Sequence, residues 1–297
     1  MARHFTRDEV ARRLSYDVLV PAMERALADL SAGKAVQPVR TTIQVPGREG
    51  YLFVMPAYAD GALGAKLVSY FPKNVGIESH FASIQLFDPA SGEPVATMDG
   101  TLITEMRTAA VSAVATERLA RKDARVLAIV GAGVQARSHL AALRSVRAFD
   151  EIRVWSPRSG AAFAAAHGVT AYASAEACVR DADVIVVATT SSTPVLHGAW
   201  VKDGAHVNSV GAPLPGAREL DDAFVRRATV FVDSRAGAEI ESGDVIAAGR
   251  IEAELGEVVL GRHTGRSSDT EVTWFKSLGM AVEDVVSARL VLEAPAS

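Results

Sequence analysis

The chain has 297 residues, of which 49% are hydrophobic and 22% are charged, and its formal net charge is −4. This composition is typical of globular proteins, and the length predicts about two domains. A slightly acidic chain without a basic run is a poor candidate for nucleic-acid binding, and the single cysteine, Cys178, excludes an intrachain disulfide and a cysteine-based zinc site. No long apolar run follows the charged N-terminus, so we expect a cytoplasmic protein without a signal peptide or membrane span.

The N-terminal part of the chain changes from a helical to a strand-like pattern. Thr6 and Glu9 have the spacing of a capping box, and apolar residues at helical spacing predict a helix as far as residue 30, which could break at Pro21. Between residues 39 and 98, short strands are predicted at 41–45, 51–55, 65–71 and 83–87, with turn residues separating some of them. These strands predict an antiparallel, curved sheet.

The remainder alternates strands with helices. Helical character returns at residues 104–120, and residues 125–234 then alternate in the way that predicts a parallel, doubly wound α/β sheet. A last helix, at 280–292, is expected to return to the first domain. We therefore place a smaller α+β domain at residues 1–120, with residues 280–297 packing back on it. A doubly wound α/β domain is predicted at residues 121–279.

A glycine-rich loop follows the strand predicted at residues 126–130. Residues 131–136 read G-x-G-x-x-A, a variant of the dinucleotide-binding fingerprint. Gly131 permits the tight turn, Gly133 lets the backbone approach a pyrophosphate, and Ala136 is small enough for close packing of helix on strand. The following helix begins with free N–H groups and the positive end of its dipole. A purely structural turn is the alternative, but the strand before the loop and the helix after it favour a cofactor site.

The second strand of this domain predicts which cofactor binds. An NAD-selective site usually carries Asp or Glu near the end of that strand, and here Ser156 and Arg158 occupy the region instead. A hydroxyl and a guanidinium suit a 2′-phosphate, because phosphate forms charge-assisted hydrogen bonds with Arg. We expect NADP(H) to be preferred, with NAD(H) possible. The alternative is that Arg158 is a solvated loop residue.

Several separate segments together resemble one family. They lie in the order expected for the ornithine cyclodeaminase/mu-crystallin family and cover nearly the whole chain, at residues 36–40, 96–115, 131–136, 241–244 and 275–284. Within that family the chain is more similar to the mu-crystallin branch, which includes ketimine reductases, than to the cyclodeaminases. The resemblance implies that residues 121–279 are an NADP-binding Rossmann domain. It also implies that residues 1–120 form a substrate-binding and dimerisation domain, whose sheet completes a dimer-spanning barrel. It also implies an amino- or imino-acid substrate bound between the domains, next to the nicotinamide.

The resemblance also implies the site residues. Arg40, Lys66 and Arg107 are expected at the substrate carboxylate, with Lys66 and Arg107 as the catalytic pair, and His80 and Pro213 are expected near the substrate. Pattern alone leaves alternatives open, because Lys66 could point to solvent and Arg107 could form a structural ion pair. The expected cofactor contacts are Thr108, Gly131, Gly133, Val134, Gln135, Ala136, Ser156, Arg158, Thr189, Val210 and Gly211.

Two departures from the cyclodeaminases bear on the reaction. Those enzymes carry a catalytic Asp at the position of Pro213 and a Glu for the ornithine amine at the position of Phe53. Neither residue here can do that work, so we expect reduction of a cyclic ketimine, Δ1-pyrroline-2-carboxylate or Δ1-piperideine-2-carboxylate, to L-proline or L-pipecolate. An ornithine cyclodeaminase, an alanine dehydrogenase and a non-catalytic NADP(H)-binding protein are the alternatives. We expect a homodimer, and no metal, nucleic acid or membrane partner.

Overall fold

The computed structural model describes residues 2–295, and the chain forms two compact units. The first unit comprises Met1–Arg107 and Gly279–Ser297, and the second comprises Thr108–Leu278. The sequence-based boundary at residues 120 and 121 lies at the C-terminal end of a helix, whereas the division between the units falls within that helix. Residues 1, 296 and 297, which the sequence analysis assigned to the first domain, lie outside the described residues.

The elements of the first 119 residues begin with a short strand and two helices and continue with five strands and a long helix. They are β1 (Arg3–Phe5), α1 (Arg7–Arg13), α2 (Tyr16–Ser31), β2 (Thr41–Gln44), β3 (Tyr51–Ala59), β4 (Ala62–Tyr70), β5 (His80–Phe87), β6 (Pro94–Asp99) and α3 (Gly100–Leu119).

The elements of residues 120–295 alternate strands with mostly short helices, and the C-terminal helix completes the first unit. They are β7 (Val126–Val130), α4 (Val134–Val146), β8 (Glu151–Trp155), α5 (Gly160–His167), β9 (Thr170–Ala171), α6 (Ala175–Val179), β10 (Val184–Val187), β11 (His206–Ser209), α7 (Asp222–Arg227), β12 (Thr229–Val232), α8 (Arg235–Glu241), α9 (Gly243–Ala248), β13 (Ala253–Glu254), α10 (Leu255–Val259), β14 (Thr273–Lys276) and α11 (Ala281–Glu293).

The first unit is built on a six-stranded sheet in the order β1-β6-β5-β4-β3-β2. Strands β2 to β6 are antiparallel, as predicted, but β1 pairs with β6 in parallel. The N-terminal helical region divides at Leu14 and Ser15, and Pro21 lies inside α2 without interrupting it, so the break expected at Pro21 is wrong. The predicted capping box is confirmed at Thr6 and Glu9.

The two faces of this sheet differ in what covers them. Helix α11 packs on β3, β4 and β5 and is itself packed against α2, so alternate strand residues such as Met55 and Ile84 are buried. The opposite face, which we call the open face, carries large apolar side chains that remain exposed. Its most exposed members are Ile43, Tyr58, Leu67 and Phe81, and the partly buried Leu52, Val54 and Leu63 lie among them.

The second unit has the predicted parallel, doubly wound sheet. Its eight strands are all parallel, in the order β13-β12-β14-β11-β10-β7-β8-β9. From β7 the chain proceeds to β8 on one side and later returns to β10 on the other, so the order reverses between β7 and β10. Ligands of such sheets bind at the carboxyl ends of the strands near this reversal. Within the described residues, no helix is both long and apolar enough to cross a membrane.

Candidate active site

A cluster of buried charges lies at the N-terminus of α11 in the first unit. Lys66 on β4 and Arg107 on α3 are both almost fully buried, with exposed fractions of 2% and 3%. The Asp284 carboxylate binds both, at 2.7 Å from Lys66 Nζ and 3.0 Å from Arg107 Nε. Glu283 accepts a hydrogen bond from Arg107 Nη1 at 2.6 Å. Lys66 therefore points inward and not to solvent, and Arg107 forms ion pairs within the same cluster.

Arg40 joins this cluster through the backbone. Its Nη2 donates a hydrogen bond to the Gly279 carbonyl at 3.0 Å. Gly279 has a φ of 77°, and a Cβ at this position would overlap the Arg107 guanidinium. Glycine is therefore needed for both the conformation and the close approach. The two arginines lie near one short turn as a result, and Arg40, Lys66 and Arg107 are brought together as the sequence analysis expected.

The cluster carries more positive than negative charge. Arg40, Lys66 and Arg107 supply three cations, and Glu283 and Asp284 supply two carboxylates. The N-terminal turn of α11 also favours carboxylates through its dipole. Burial, together with the Arg107 and Arg40 charges, lowers the pKa of the Lys66 ammonium from 10.5 to about 8, against the opposing effect of Asp284. An added carboxylate would balance the remaining positive charge.

A row of rings continues along the same face of the sheet. Tyr51 stacks on Phe53 with ring centroids 6.0 Å apart, and Tyr70 stacks on His80 at 4.4 Å. The Arg40 guanidinium lies 5.9 Å from the centre of the Phe53 ring. His80 is also close enough to Lys66 to be affected electrostatically, since desolvation and the Lys66 charge lower the pKa of its imidazole. The row offers flat, weakly polar surfaces beside the cations.

The glycine-rich loop of the second unit has the features that a dinucleotide requires. Gly131 has a φ of 119°, and a Cβ there would overlap the Ala188 carbonyl, whereas Gly133 has open space where its Cβ would stand. Helix α4 begins at Val134 with no acidic residue in its first turn, and Ala136 is fully buried against the sheet. A pyrophosphate would therefore meet open backbone at a helix N-terminus. Gln135 is in the same turn, and its carbonyl accepts a hydrogen bond from His139 Nδ1 at 2.7 Å.

The other expected cofactor residues lie at several places in the second unit. Thr108 is buried on α3, while Ser156 and Arg158 follow β8, where Ser156 Oγ lies 3.2 Å from Ser159 Oγ. Arg158 is exposed and has no hydrogen-bond or ion-pair partner among residues 2–295.

Thr189 follows β10, and Val210 and Gly211 follow β11, so these three lie beyond the carboxyl ends of neighbouring strands. Pro213 is exposed in the same loop.

Five buried charged residues of these two regions were not found from the sequence. They are Glu283 and Asp284 in the first unit, and Glu219, Asp244 and Lys276 in the second. A signal for the first pair was available, since adjacent carboxylates within an otherwise apolar helix imply buried cationic partners. Lys276 ends a strand whose four residues are all buried, which is a similar signal. No local pattern distinguishes Glu219.

Comparisons with known proteins agree on one family. The sequence model of the "Ornithine cyclodeaminase/mu-crystallin family" matches residues 3–297. The ketimine reductase mu-crystallin of Mus musculus is 47% identical over 292 residues, covering 94% of this chain and 93% of the relative. The Δ1-pyrroline-2-carboxylate reductase of Thermococcus litoralis, solved with NADH and L-proline, has a TM-score of 0.93 at 40% identity and covers 98% of this chain and 96% of that one. An archaeal alanine dehydrogenase dimer with bound NAD has a TM-score of 0.92 at 34% identity and covers 98% and 95%.

The buried charge cluster generates a prediction about stability. Replacing Asp284 with Asn leaves Lys66 and Arg107 buried without their shared carboxylate, so we expect Asp284→Asn to lower the free energy of unfolding by about 3–5 kcal/mol at pH 7. The matched control is Glu49→Gln, which removes a carboxylate from the exposed ion pair with Lys73 and should have a much smaller effect. Urea-induced unfolding measures both, and equal losses would show that the Asp284 pairs contribute no more than a surface pair.

Proposed function

Because this chain belongs to the ornithine cyclodeaminase/mu-crystallin family, we propose that it is an NAD(P)H-dependent reductase of cyclic ketimines. Its substrates would be Δ1-pyrroline-2-carboxylate or Δ1-piperideine-2-carboxylate, and its products L-proline or L-pipecolate. The observation that carries this proposal is the cluster in which the buried Lys66 and Arg107 and the half-buried Arg40 place three cations beside the carboxylates of Glu283 and Asp284. The relative from Thermococcus litoralis is named as a reductase of the first of these imines.

In this proposal the cluster binds the substrate by its carboxylate. Arg107 is held by Glu283 and Asp284, which fix the plane of its guanidinium before substrate arrives. A fixed, planar donor can orient a carboxylate better than a flexible ammonium. Arg40 and Lys66 add charge next to it. Holding the carboxylate fixes the neighbouring C=N carbon, and such positioning supplies much of the rate enhancement in a transfer reaction.

The proton balance of the reduction points to Lys66. The bound dinucleotide, when reduced, supplies the hydride that the imine carbon accepts. The imine nitrogen must also carry a proton in the product, and Lys66 Nζ can donate it when the substrate arrives unprotonated. A pKa of about 8 keeps Lys66 mostly protonated near neutral pH while making it a better acid than an ordinary lysine. We therefore assign Lys66 the proton donor and Arg107 the carboxylate anchor.

A substrate panel tests this proposal. We expect NADPH oxidation with a cyclic 2-imino acid, and no proline or ammonia from ornithine, because Phe53 and Pro213 stand where a cyclodeaminase needs carboxylates. Pyruvate with ammonia tests the alanine dehydrogenase reaction in the same assay. Arg107→Ala should lower kcat/KM by at least about tenfold, equivalent to roughly 1.4 kcal/mol.

The coenzyme Kd of the Arg107→Ala variant provides the control for this experiment. It should remain near that of the wild type, since Arg107 is assigned to the substrate. Arg289→Ala, which removes an arginine that pairs with Asp60, should leave kcat/KM unchanged. Release of ammonia from ornithine, or full imine reduction by Arg107→Ala, would contradict the assignments.

We also propose that the coenzyme is preferentially NADPH. The support is the presence of both Ser156 and Arg158 after β8, and the absence of ion-pair partners for Arg158 among the described residues. Arg158→Ala should remove a charge-assisted contact with the 2′-phosphate, worth roughly 1.5–3 kcal/mol or about a ten- to hundredfold increase in KM for NADPH. The KM for NADH in the same variant is the internal control and should change little. Equal changes for both coenzymes would show that Arg158 does not contact the 2′-phosphate.

A homodimer through the open face completes the proposal. The support is the exposure of Ile43, Leu67 and Phe81 on a side of the sheet that no helix within residues 2–295 covers. Contiguous apolar surface of this kind marks an interface. The archaeal alanine dehydrogenase named above is itself described as a dimer.

A charge placed on the open face tests the dimer. Leu67→Asp should shift the molar mass measured by light scattering from dimer to monomer at micromolar concentration. Ile246→Asp on α9 is the matched control, because both side chains are 48% exposed. A wild-type monomer with full activity would contradict the dimer.

A further inference from the structure

A second buried charge cluster lies at the carboxyl ends of the parallel strands. Glu219 is fully buried, and its carboxylate accepts three hydrogen bonds. Oε1 accepts from Thr189 N at 2.9 Å and from Thr189 Oγ1 at 2.7 Å, and Oε2 accepts from Gly211 N at 2.8 Å. Thr189 follows β10 and Gly211 follows β11, so one side chain joins the loops of two neighbouring strands.

The Glu219 carboxylate accepts backbone N–H groups just beyond the point where the hydrogen bonds between β10 and β11 end. The last backbone hydrogen bond between β10 and β11 runs from Val210 N to the Val187 carbonyl at 3.0 Å. Beyond it, the N–H groups of Thr189 and Gly211 both turn to Glu219. Both N–H groups belong to part-buried hydrogen bonds, and one side chain supplies the acceptor for both loops. The separation of the two loops is therefore set by the carboxylate.

The neighbouring charges hold the other side of the same loop. Lys276, at the end of β14, donates a hydrogen bond to the Gly211 carbonyl and lies 3.9 Å from Asp244. The Asp244 carboxylate accepts the N–H groups of Glu219 and Leu220 at 3.2 and 3.1 Å, which fixes the backbone from which Glu219 extends. Both polar groups of the Gly211 backbone are thus bound by charged side chains.

The geometry of the loop leaves little freedom for adjustment. A Cβ at Gly211 would overlap the Thr189 carbonyl and the Glu219 carboxylate. Ala212 has a φ of 50°, a left-handed conformation that L-residues adopt only where the surroundings enforce it. The loop is therefore held in an unfavourable conformation by its contacts, and removing one contact should release it.

We propose that Glu219 is a positioning residue, whose ionised carboxylate holds the Thr189 and Gly211 loops in the conformation that binds the coenzyme. The proposal rests on the coenzyme assignment made above. These loops follow β10, which is adjacent to β7 with its glycine-rich loop, and the next strand, β11. They therefore lie at the edge of the sheet where dinucleotides bind. Glu219 acts on the coenzyme through the two loops.

Ionisation of Glu219 links this contact to pH. Burial raises the pKa of its carboxyl to about 7, with Asp244 acting in the same direction and Lys276 and the Thr189 hydrogen bonds opposing. Arg218, the preceding residue, lies 3.7 Å from Asp244 and is the other charged group of the cluster. The ionised carboxylate can accept all three hydrogen bonds, whereas protonation of either oxygen removes acceptor capacity that they need. The loops should therefore be held above about pH 7 and released below it.

The effect on stability has the opposite sign. Because the pKa is raised above its unfolded value, the folded chain binds more protons than the unfolded chain between about pH 4.5 and 7. Glu219 therefore makes the free energy of unfolding fall as the pH rises through that range. The other fully buried titratable side chains of this unit that could confuse the assignment, His139 and His206, are neutral there, since burial lowers their pKa values to about 4 and about 3.

The Kd for NADH as a function of pH tests the proposal, because NADH lacks the 2′-phosphate that titrates in NADPH. Measured by fluorescence with the wild-type chain, the Kd should increase up to about tenfold when the pH is lowered from 8 to 6. The increase should follow the loss of the ionised fraction of a group with a pKa near 7. Glu219→Gln should bind NADH weakly at both pH values, without that dependence. Glu239→Gln, which changes an exposed glutamate on α8, should behave as the wild type.

Two further results separate this proposal from the others. Amide hydrogen exchange at Gly211 should be faster in Glu219→Gln and, after correction for intrinsic rates, faster in the wild type at pH 6 than at pH 8. A wild-type Kd that is flat between these values would overturn the proposal even if Glu219→Gln failed to fold, as would unchanged pH dependence in a folded Glu219→Gln. If NADH binds with the expected pH dependence but no cyclic imine is reduced, the proposed reaction fails while the role of Glu219 stands.

Discussion

The first unit depends on the buried ion pairs that the Asp284 carboxylate forms with Lys66 and Arg107. It binds a lysine from a strand and an arginine from a helix, and it belongs to the C-terminal helix of the chain. Buried cations are tolerated only where a counter-charge meets them, so β4, α3 and α11 have to assemble together. This requirement explains in physical terms why residues 279–297 belong to the same compact unit as residues 1–107. The apolar contacts of α11 with β3 and β4 stabilise the arrangement, and the ion pairs determine its register.

Burial shifts a pKa in each of the two clusters, downward for a lysine and upward for a glutamate. In the cluster of the first unit, three cations lie beside two carboxylates, and burial lowers the pKa of Lys66. In the second unit Glu219 and Asp244 share the single buried cation Lys276 among the described residues, and burial raises the pKa of Glu219. Each shift moves its group toward the neutral form and so reduces the net buried charge. The cations of the first cluster are suited to bind an anion, whereas the carboxylates of the second hold backbone N–H groups.

Local patterns were sufficient for much of the fold and insufficient for the clusters. The G-x-G-x-x-A loop, the strand before it and the helix after it are predictable because all their determinants lie within a dozen residues. Strand β1 was missed because it has three residues and exists only by pairing with β6, more than 90 residues away. The orientation of Lys66 could not be settled from alternation, since the carboxylate that makes its burial tolerable is at residue 284. Pro21 was judged by its general effect on helices, which the packing of Leu19, Met23 and Leu27 overrides.

Buried charges of this kind are difficult to explain by stability alone. Well-packed apolar side chains of similar volume often stabilise a protein as well as, or better than, a buried ion pair. A chain selected only for folding would therefore have little reason to keep Lys66, Arg107, Glu283 and Asp284 inside one unit. An anion-binding site needs this arrangement, because carboxylates already paired with Arg107 fix its orientation while the excess cation preserves attraction for a ligand. The same reasoning applies to Glu219, where an apolar residue would leave the part-buried N–H groups of Thr189 and Gly211 without this acceptor and the conformation of Ala212 unsupported.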